Sequence, residues 1–597
     1  MTDAPHSQDQ EPSSSRRGFL ALAGGLAAAP VVNLLPSGVI NAQAATSAPR
    51  TSAASGKKPN ILFVFTDQER YIKQWPRGLH LPGHDRLKRD GVTFHNHYCP
   101  AVMCTSSRAV LLTGLQTPAN KMFENADMPY VKALSTDVPT IGHMLRKFGY
   151  YTAYKGKWHL NKDFDTDEPS RLFAKEMDAY GFADFVWPGD VLAHTLGGYK
   201  HDHMIAGSAI SWLRDKGRTI NDEGNPWSLF VSLVNPHDIM YFNTDAAGEQ
   251  VQDTGKLMMH AARAPVHPLY KQRWHTTLPA SLRQPLNVAG RPAAHAEFNR
   301  AWGYTLGAIP LEDERWQRFS DFYLNSIRSV DMQLVRLLDE LQALGLRENT
   351  IVAFTSDHGE MGGAHGLRGK GPMAYQEAIH LPMMIVHPDV KGGQDCASLT
   401  GHIDLVPSLL AMAGVGTNFS GDLAGRELPG KDFSELLNRP GASDVHAVRD
   451  SVLFTYSGLA TNDSELTRII SEGRSKGQDP KSAVKAAGYK PNMKKRGSLR
   501  TMFDGRYKFT RYFAPIDRNS PKTLDELFQW NDVELFDLKT DPSEMSNLAA
   551  DRLEKQDLLL KMNAKLEAII KAEIGLDDGR EMPSFEGVDW SIDRVDL

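Results

Sequence analysis

An α/β protein, with a large, mixed but mainly parallel sheet sandwiched by helices and a smaller C-terminal α+β domain, is the architecture this sequence predicts. Three observations carry it. Near-continuous apolar runs ("NILFVF", "YYTAY", "LFVSLV", "TIVAFT") recur along the first part of the chain, as strands buried on both faces of a parallel sheet do. Helical patterns separate these runs, which is the alternation of an α/β sheet. Beyond about residue 430 the texture changes to shorter aromatic strands with turns, which reads as an antiparallel sheet. At 597 residues the chain is too long for one ordinary core and suits two unequal ones.

Taken in order, residues 1–45 read as an export signal rather than as fold. Arg16 and Arg17 directly precede an apolar stretch, and Ala42 and Ala44 flank a cleavage point in "AQAATS". With Phe19 and Leu20 the pair resembles a twin-arginine signal, which implies a bacterial protein exported already folded, to the periplasm or beyond. The alternative is an ordinary secretory signal with a chance Arg pair. Gly, Ala and Pro interrupt the apolar stretch, which argues against stable membrane anchoring. Residues 46–58 are small and polar, a linker. The main domain is read over 59–430 and the smaller one over 431–597.

Within the main domain, "DVPTIGHMLRKFG" has Pro139 near its start and Gly149 at its end, the punctuation of a helix. Ile327, Val330, Leu334, Leu338 and Leu341 fall on one face of another. Between about 239 and 315 there is little periodicity. An irregular insertion of that length reads as a lid or substrate loop. In the smaller domain "SVLFTYSG", "RTMFDGRYKFTRYF" and "VELFDLKTDP" read as strands, and a terminal helix follows from Asp551.

Charge and cysteine usage narrow the function. With 67 Lys and Arg against 72 Asp and Glu, the net charge is −5, and nothing points to nucleic acid or an anionic membrane surface. Three cysteines cannot build a disulfide framework, which leaves one free for chemistry.

Ligands of open α/β sheets sit beyond the carboxyl ends of the strands. Asp67 and Gln68 follow the first predicted strand, Lys157 and His159 the second, His237 and Asp238 the third, and Asp357 and His358 the fourth. Cys104 and Arg108 stand at a loop-to-helix junction in "CTSSRAVLLTG". Asp67, Asp357 and His358, with the amide oxygen of Gln68, make a mixed oxygen/nitrogen site for one hard divalent cation such as Ca²⁺, Mg²⁺ or Mn²⁺. Soft ligands are too few for structural zinc. "HDH" at 201–203 is read either as a second metal site or as an ordinary loop. Arg263, His267, Tyr270, Trp274 and His275 in the insertion either stack on an aryl group, a sugar or a quaternary ammonium, or fix the insertion to the main domain.

Several of these segments carry a family resemblance. "CTSSRAVLLTG" resembles the sulfatase signature, in which a cysteine is followed four residues on by arginine and then by Leu-Thr-Gly. "GKWHL" matches the second sulfatase signature, and "PNILFVFTDQ", "NPHD", "TSDHGEMGG", "HIDLVPSLL" and "ELFDLKTDPSEMSNLA" fall in the order sulfatases show. The resemblance implies the alkaline-phosphatase-like fold and makes 59–430 the catalytic domain. It implies that a formylglycine-generating enzyme oxidises Cys104 to formylglycine. The hydrate then supplies an oxygen nucleophile that attacks sulfur and expels the alcohol. Its second hydroxyl lets the sulfated intermediate collapse and release sulfate. The cation, Ca²⁺ ahead of Mn²⁺ or Mg²⁺, is held by Asp67, Gln68, Asp357, His358 and residue 104. Arg108 steadies the nucleophile, Lys157 and Lys370 hold the sulfate, His237 protonates the departing alkoxide, His159 supports hydrate collapse, and Asn125 contacts the sulfate. The substrate so implied is an aryl, alkyl or carbohydrate sulfate monoester. Maturation partners would be the modifying enzyme and the twin-arginine export machinery; self-association stays open.

Three positions depart from the family pattern. Ser106 stands where proline or alanine is usual, and that position helps the modifying enzyme recognise its target. Gln68 and His358 replace the common Asp and Asn, as in the choline-sulfatase and phosphonate monoester hydrolase branch. His380 stands where an arginine is normal. The alternatives are therefore a phosphonate or phosphate diester hydrolase of the same superfamily, or a non-catalytic binder of sulfated ligands if Cys104 stays a thiol. Lys157 and His159 favour sulfate over phosphonate.

Overall fold

Seven strands of the main sheet lie in the order β3-β4-β1-β5-β6-β2-β7. They are β1 (Asn60–Asp67), β2 (Val92–Tyr98), β3 (Tyr151–Gly156), β4 (Trp227–Pro236), β5 (Thr350–Ser356), β6 (His380–Val386) and β7 (Gln394–Gly401). In this computed structural model the described residues are 57–582, apart from 129, 166–170, 188, 191–193, 256 and 460–461. The export signal at 1–45 and the linker as far as residue 56 lie outside them.

β3, β4, β1 and β5 are mutually parallel, β6 runs antiparallel to both its neighbours, and β7 is parallel to β2. The sheet is therefore mixed and mainly parallel, as the apolar runs predict. Every residue of β1, β4 and β5 is buried, which explains why those segments read as continuous hydrophobic runs rather than alternating ones. Helix Gly197–Trp212 packs on β4 and on the long helix Asp313–Ala343. The face of that long helix expected to be buried is buried, from Ile327 to Leu341.

The smaller sheet is antiparallel throughout, in the order β11-β10-β9-β8. Its strands are β8 (Val452–Tyr456), β9 (Ser498–Phe503), β10 (Tyr507–Phe513) and β11 (Asp532–Asp537), and helix Gln556–Glu573 covers it. Leu453, Met502, Phe509 and Leu535 meet Leu559, Met562, Leu566 and Ile570 in one apolar cluster.

Two features of the chain depart from its pattern. The stretch 239–315 is not irregular throughout: Ala293–Leu306 is a helix, and Asp313 already begins the next one. The buried face of Ala293–Leu306 is built from Ala294, Phe298, Ala301, Trp302 and Thr305, whose small and polar members dilute the helical period. Between β8 and β9 a helical pair, Ser464–Ser475 and Pro480–Ala486, is inserted without a preceding cue.

The loop after β1 is pinned from behind by a buried charge cluster. His84 lies 2.8 Å from Glu69 Oε1 and 2.6 Å from Asp331 Oδ1, and Thr66 Oγ1 donates to Glu69. Burial disfavours the imidazolium, but Glu69 and Asp331 outweigh it and bring the His84 pKa up to about 10. A pKa raised above the unfolded value of about 6.5 stabilises the fold fully below pH ~6.5, and that contribution fades as pH rises through ~10. H84Q is therefore expected to lower stability by on the order of 4 kcal/mol at pH 6. The deficit should shrink steadily between pH 7 and 10, read as urea midpoints of the two proteins across pH. A deficit independent of pH would mean that packing, not charge, is what His84 contributes.

Candidate active site

The carboxyl ends of the parallel strands deliver the site. Asp67 is the last residue of β1, Asp357 follows β5, His237 follows β4 and Lys157 follows β3. Gly156 closes β3 with φ +95°, and a Cβ there would lie 2.0 Å from the Ser232 carbonyl oxygen. Only glycine lets β3 run so close to β4 and turn Lys157 into the cluster.

Cys104 opens helix Cys104–Thr113, all of whose residues are buried. Gly114, in the left-handed region, ends it by returning its N–H to the Val110 carbonyl. Three residues at the site hold backbones that L-residues seldom adopt: Gln68 (φ 75°), Met103 (φ 96°) and His159 (φ 59°). Each costs about 1–3 kcal/mol, and such strain gathers where a constellation is fixed by its surroundings.

Donor atoms of Asp67, Cys104, Asp357 and His358 all lie within 4.8 Å of one another, and all four residues are buried. Cys104 Sγ is 3.2 Å from His358 Nε2 and 3.6 Å from Asp67 Oδ1. Gln68 joins them from the same loop: its backbone N–H donates to Asp357 Oδ1 at 3.1 Å, and its Oε1 accepts from Lys370 Nζ at 2.6 Å. Glu360 accepts from the Gln68 amide nitrogen and from the N–H groups of Gly362 and Gly369, which fixes the amide with its oxygen toward Lys370. Two carboxylates and an imidazole in this compass, with the Gln68 amide on the adjoining loop, fit a hard or borderline divalent cation.

Arg108 is fully buried and spans the cluster from behind. Its Nε donates to Asp357 at 2.8 Å, one terminal nitrogen donates to Asp67 at 2.9 Å, and the other to the Lys157 carbonyl and Ser232 Oγ. Four of its N–H groups are committed to partners in or just after strands β1, β3, β4 and β5, and through them it positions the two carboxylates.

Lys157 Nζ donates to Asp67 at 2.6 Å. Burial pushes the Cys104 thiol up, but Lys157, Lys370 and His358 bring it well below the ordinary thiol range. Burial and the Cys104 sulfur likewise push Asp67 up, while Lys157, His237 and Arg108 prevail and hold it low. Burial and Lys157 oppose a charge on His159; Asp127, 3.4 Å away, and the Cys104 sulfur favour it and bring its pKa up to about 9. Burial and Lys157 take His237 down to about 4. Asn125 accepts from the Thr105 N–H at 3.4 Å and lines the open space in front of the cluster.

All eleven expected site residues thus converge. His201 and His203 do not: of the three residues 201–203 on helix Gly197–Trp212 only Asp202 is buried, where it accepts from the N–H groups of Val234 and Asn235. Among the described residues the single cluster of metal-ligating groups is the one above. The insertion aromatics belong to packing: Tyr270 tilts against Phe322, and Trp274 donates to Asn325. His380 replaces the usual arginine with an aromatic sandwich, stacked on Tyr71 at 4.2 Å and on Tyr98 at 4.8 Å. Sequence reasoning missed Glu360, although it lies three residues after Asp357 in "SDHGE". It also missed the walls of the cavity in front of the cluster, about 590 Å³, which draws on the insertion and on helix Ser464–Ser475.

Comparison with known proteins agrees with this geometry. The family model described as Sulfatase matches residues 59–415. A choline-sulfatase of Rhizobium meliloti is 27% identical over 393 residues, covering 60% of this chain and 68% of its own length. An N-acetylglucosamine-6-O-sulfatase of Bacteroides thetaiotaomicron is 24% identical, covering 85% and 86%. The phosphonate monoester hydrolase of Agrobacterium radiobacter shares the fold at a TM-score of 0.58 and 19% identity, covering 87% of this chain and 96% of that one.

Proposed function

The chain belongs to the sulfatase family and is a sulfuric ester hydrolase, and from that premise we propose that it cleaves a sulfate monoester using formylglycine made from Cys104 and one divalent cation. The observation that carries this is the placement of Cys104: first residue of its helix, within 3.2–3.6 Å of two cation-ligating side chains, and faced by Lys157, Lys370, His159 and His237.

Asp67, Gln68, Asp357 and His358 would hold the cation, with Ca²⁺ favoured by the oxygen-rich donor set. When bound, it adds Lewis acidity and positive charge at residue 104. The chain's own groups do the rest. Lys157 and Lys370 offer donors to the sulfate oxygens, with Asn125 at the rim. His237 stands to protonate the departing alkoxide: a sulfate seated between it and the lysines brings the negative charge that offsets their hold on the neutral ring. Conversion of Cys104 removes the sulfur that helps hold His159 charged, which leaves the ring able to accept a proton from residue 104 as the intermediate collapses. Lys157 and His159 are both in place, which favours sulfate over phosphonate.

Cys104 is 1% exposed, so a modifying enzyme must reach it before the chain folds. The Arg16–Arg17 segment supports export in the folded state, to the periplasm or beyond, after that step. Ser106 sits inside the helix with its hydroxyl buried and without a hydrogen-bond partner, so nothing in the fold calls for serine there.

The test is the mass of the tryptic peptide spanning Cys104, from protein made in its native host, alongside sulfate release. A loss of about 18 Da relative to the thiol, with turnover abolished by a chelator and restored by Ca²⁺, is the expected result. An intact thiol would overturn the mechanism and favour the non-catalytic binder. H237A should slow sulfate release by roughly 10²-fold for an unactivated alkyl sulfate and much less for 4-nitrophenyl sulfate, whose leaving group needs no proton. Equal losses for the two substrates would remove His237 from that role.

A further inference from the structure

The cavity in front of residue 104 has two chemically distinct halves. Its floor carries the charged groups described above. Its apolar wall is made of Met240, whose Sδ lies 3.6 Å from Lys370 Nζ at the floor, and of Met258, Met259, Trp302, Leu466 and Ile470. These come from two separate places: the insertion, which includes helix Ala293–Leu306, and helix Ser464–Ser475. Leu466 and Ile470 lie outside residues 59–415, the span the family model matches.

Several polar groups beside the wall are engaged with the protein, and the exposed Arg474 commits one guanidinium nitrogen. Arg474 donates to the Met258 carbonyl at 3.2 Å, Thr305 Oγ1 to the Ala301 carbonyl at 2.9 Å, and Thr195 Oγ1 to the His260 carbonyl at 2.8 Å. Nearer the floor, Asp190 accepts from the N–H groups of Trp158 and His159, and Asp165 pairs with His194 at 3.2 Å. A sugar ring seated against this wall would give up water around its hydroxyls and meet thioethers and hydrocarbon in return. An apolar ring would lose nothing and bury its surface. Methionine is well suited to such a wall, because its flexible, polarizable side chain moulds to rings of different outline. About 590 Å³ is ample for a one- or two-ring group with its sulfate.

We propose that the substrate is the sulfate ester of an apolar, ring-bearing alcohol or phenol rather than of a carbohydrate, and that the six wall residues set this preference. This rests on the sulfatase reading above. The decisive pair is cyclohexylmethyl sulfate and glucose 6-sulfate, each a primary sulfate on a six-membered ring, differing in the ring's hydroxyls and its ring oxygen. With protein whose residue 104 is verified by mass, kcat/KM should favour the cyclohexylmethyl ester by at least ~30-fold. Phenyl sulfate, run alongside, separates an aryl from a cycloalkyl preference. L466N/I470N should cut the cyclohexylmethyl preference about tenfold, with circular dichroism reporting the fold. Parity between the two rings, or a preference for glucose 6-sulfate, overturns the inference. Should no ester release sulfate, the hydrolase reading fails by itself. Calorimetric binding of the same two esters then decides the pocket's chemistry: tighter cyclohexylmethyl binding upholds it, and equal or weaker binding sinks it.

Discussion

Cys104→Ser is expected to convert the enzyme into a single-turnover reagent. A serine at 104 occupies the same helix start, faces the same lysines and histidines, and offers one hydroxyl. It can take the sulfuryl group once, with the alcohol leaving under a proton from His237. It has no second hydroxyl from which the sulfate can be expelled. Steady-state kcat should fall by at least ~10⁴-fold while one equivalent of alcohol appears in a burst. Intact mass after the burst should rise by about 80 Da, the mass of one SO₃ unit carried on the chain. Multiple turnovers by the serine variant would show that the nucleophile is elsewhere.

The second large effect is on stability. Arg108 holds Asp67 and Asp357 together with no solvent at either end, since all three residues are fully buried. Arg108→Met keeps the length and removes the charge, which leaves two buried carboxylates facing one another. Breaking a buried pair in this way costs about 3–5 kcal/mol. Urea unfolding in the presence of a chelator should reveal that loss, and excess Ca²⁺ should recover part of it, because a dication between the carboxylates does some of the guanidinium's work. Arg108→Lys should fall between, retaining charge while losing the fork that reaches both acids at once. A methionine variant as stable as the parent would mean that the carboxylates do not depend on Arg108 for compensation.

Much of the site was legible because its residues are fixed by local grammar. Asp67, Lys157, His237 and Asp357 follow β-rich apolar runs, and a strand's end is visible in one dimension. Cys104 was legible from the helix it opens. Roles that depend on what a side chain meets in three dimensions were not. Arg108 reads as a cation near the nucleophile, and only the fold shows its nitrogens bonded to groups in or just after four strands. The orientation of Gln68 is decided by Glu360, through contacts no spacing encodes. Tyr270 and Trp274 illustrate a deeper ambiguity, since an aromatic that packs on Phe322 or Asn325 has the same composition as one that stacks on a ligand. The cavity wall is the extreme case: Met240, Trp302 and Leu466 are far apart along the chain and share no period, so nothing short of the fold brings them together.

Sealing the four donor residues away from solvent also has a kinetic side. Asp67, Asp357 and His358 show no exposure, and Cys104 shows 1%. An ion seated among them would come and go by way of the cavity in front of residue 104, so it should leave more slowly than one held at the surface. The chelator incubation that silences turnover should then need longer than mixing, and bound substrate should lengthen it further.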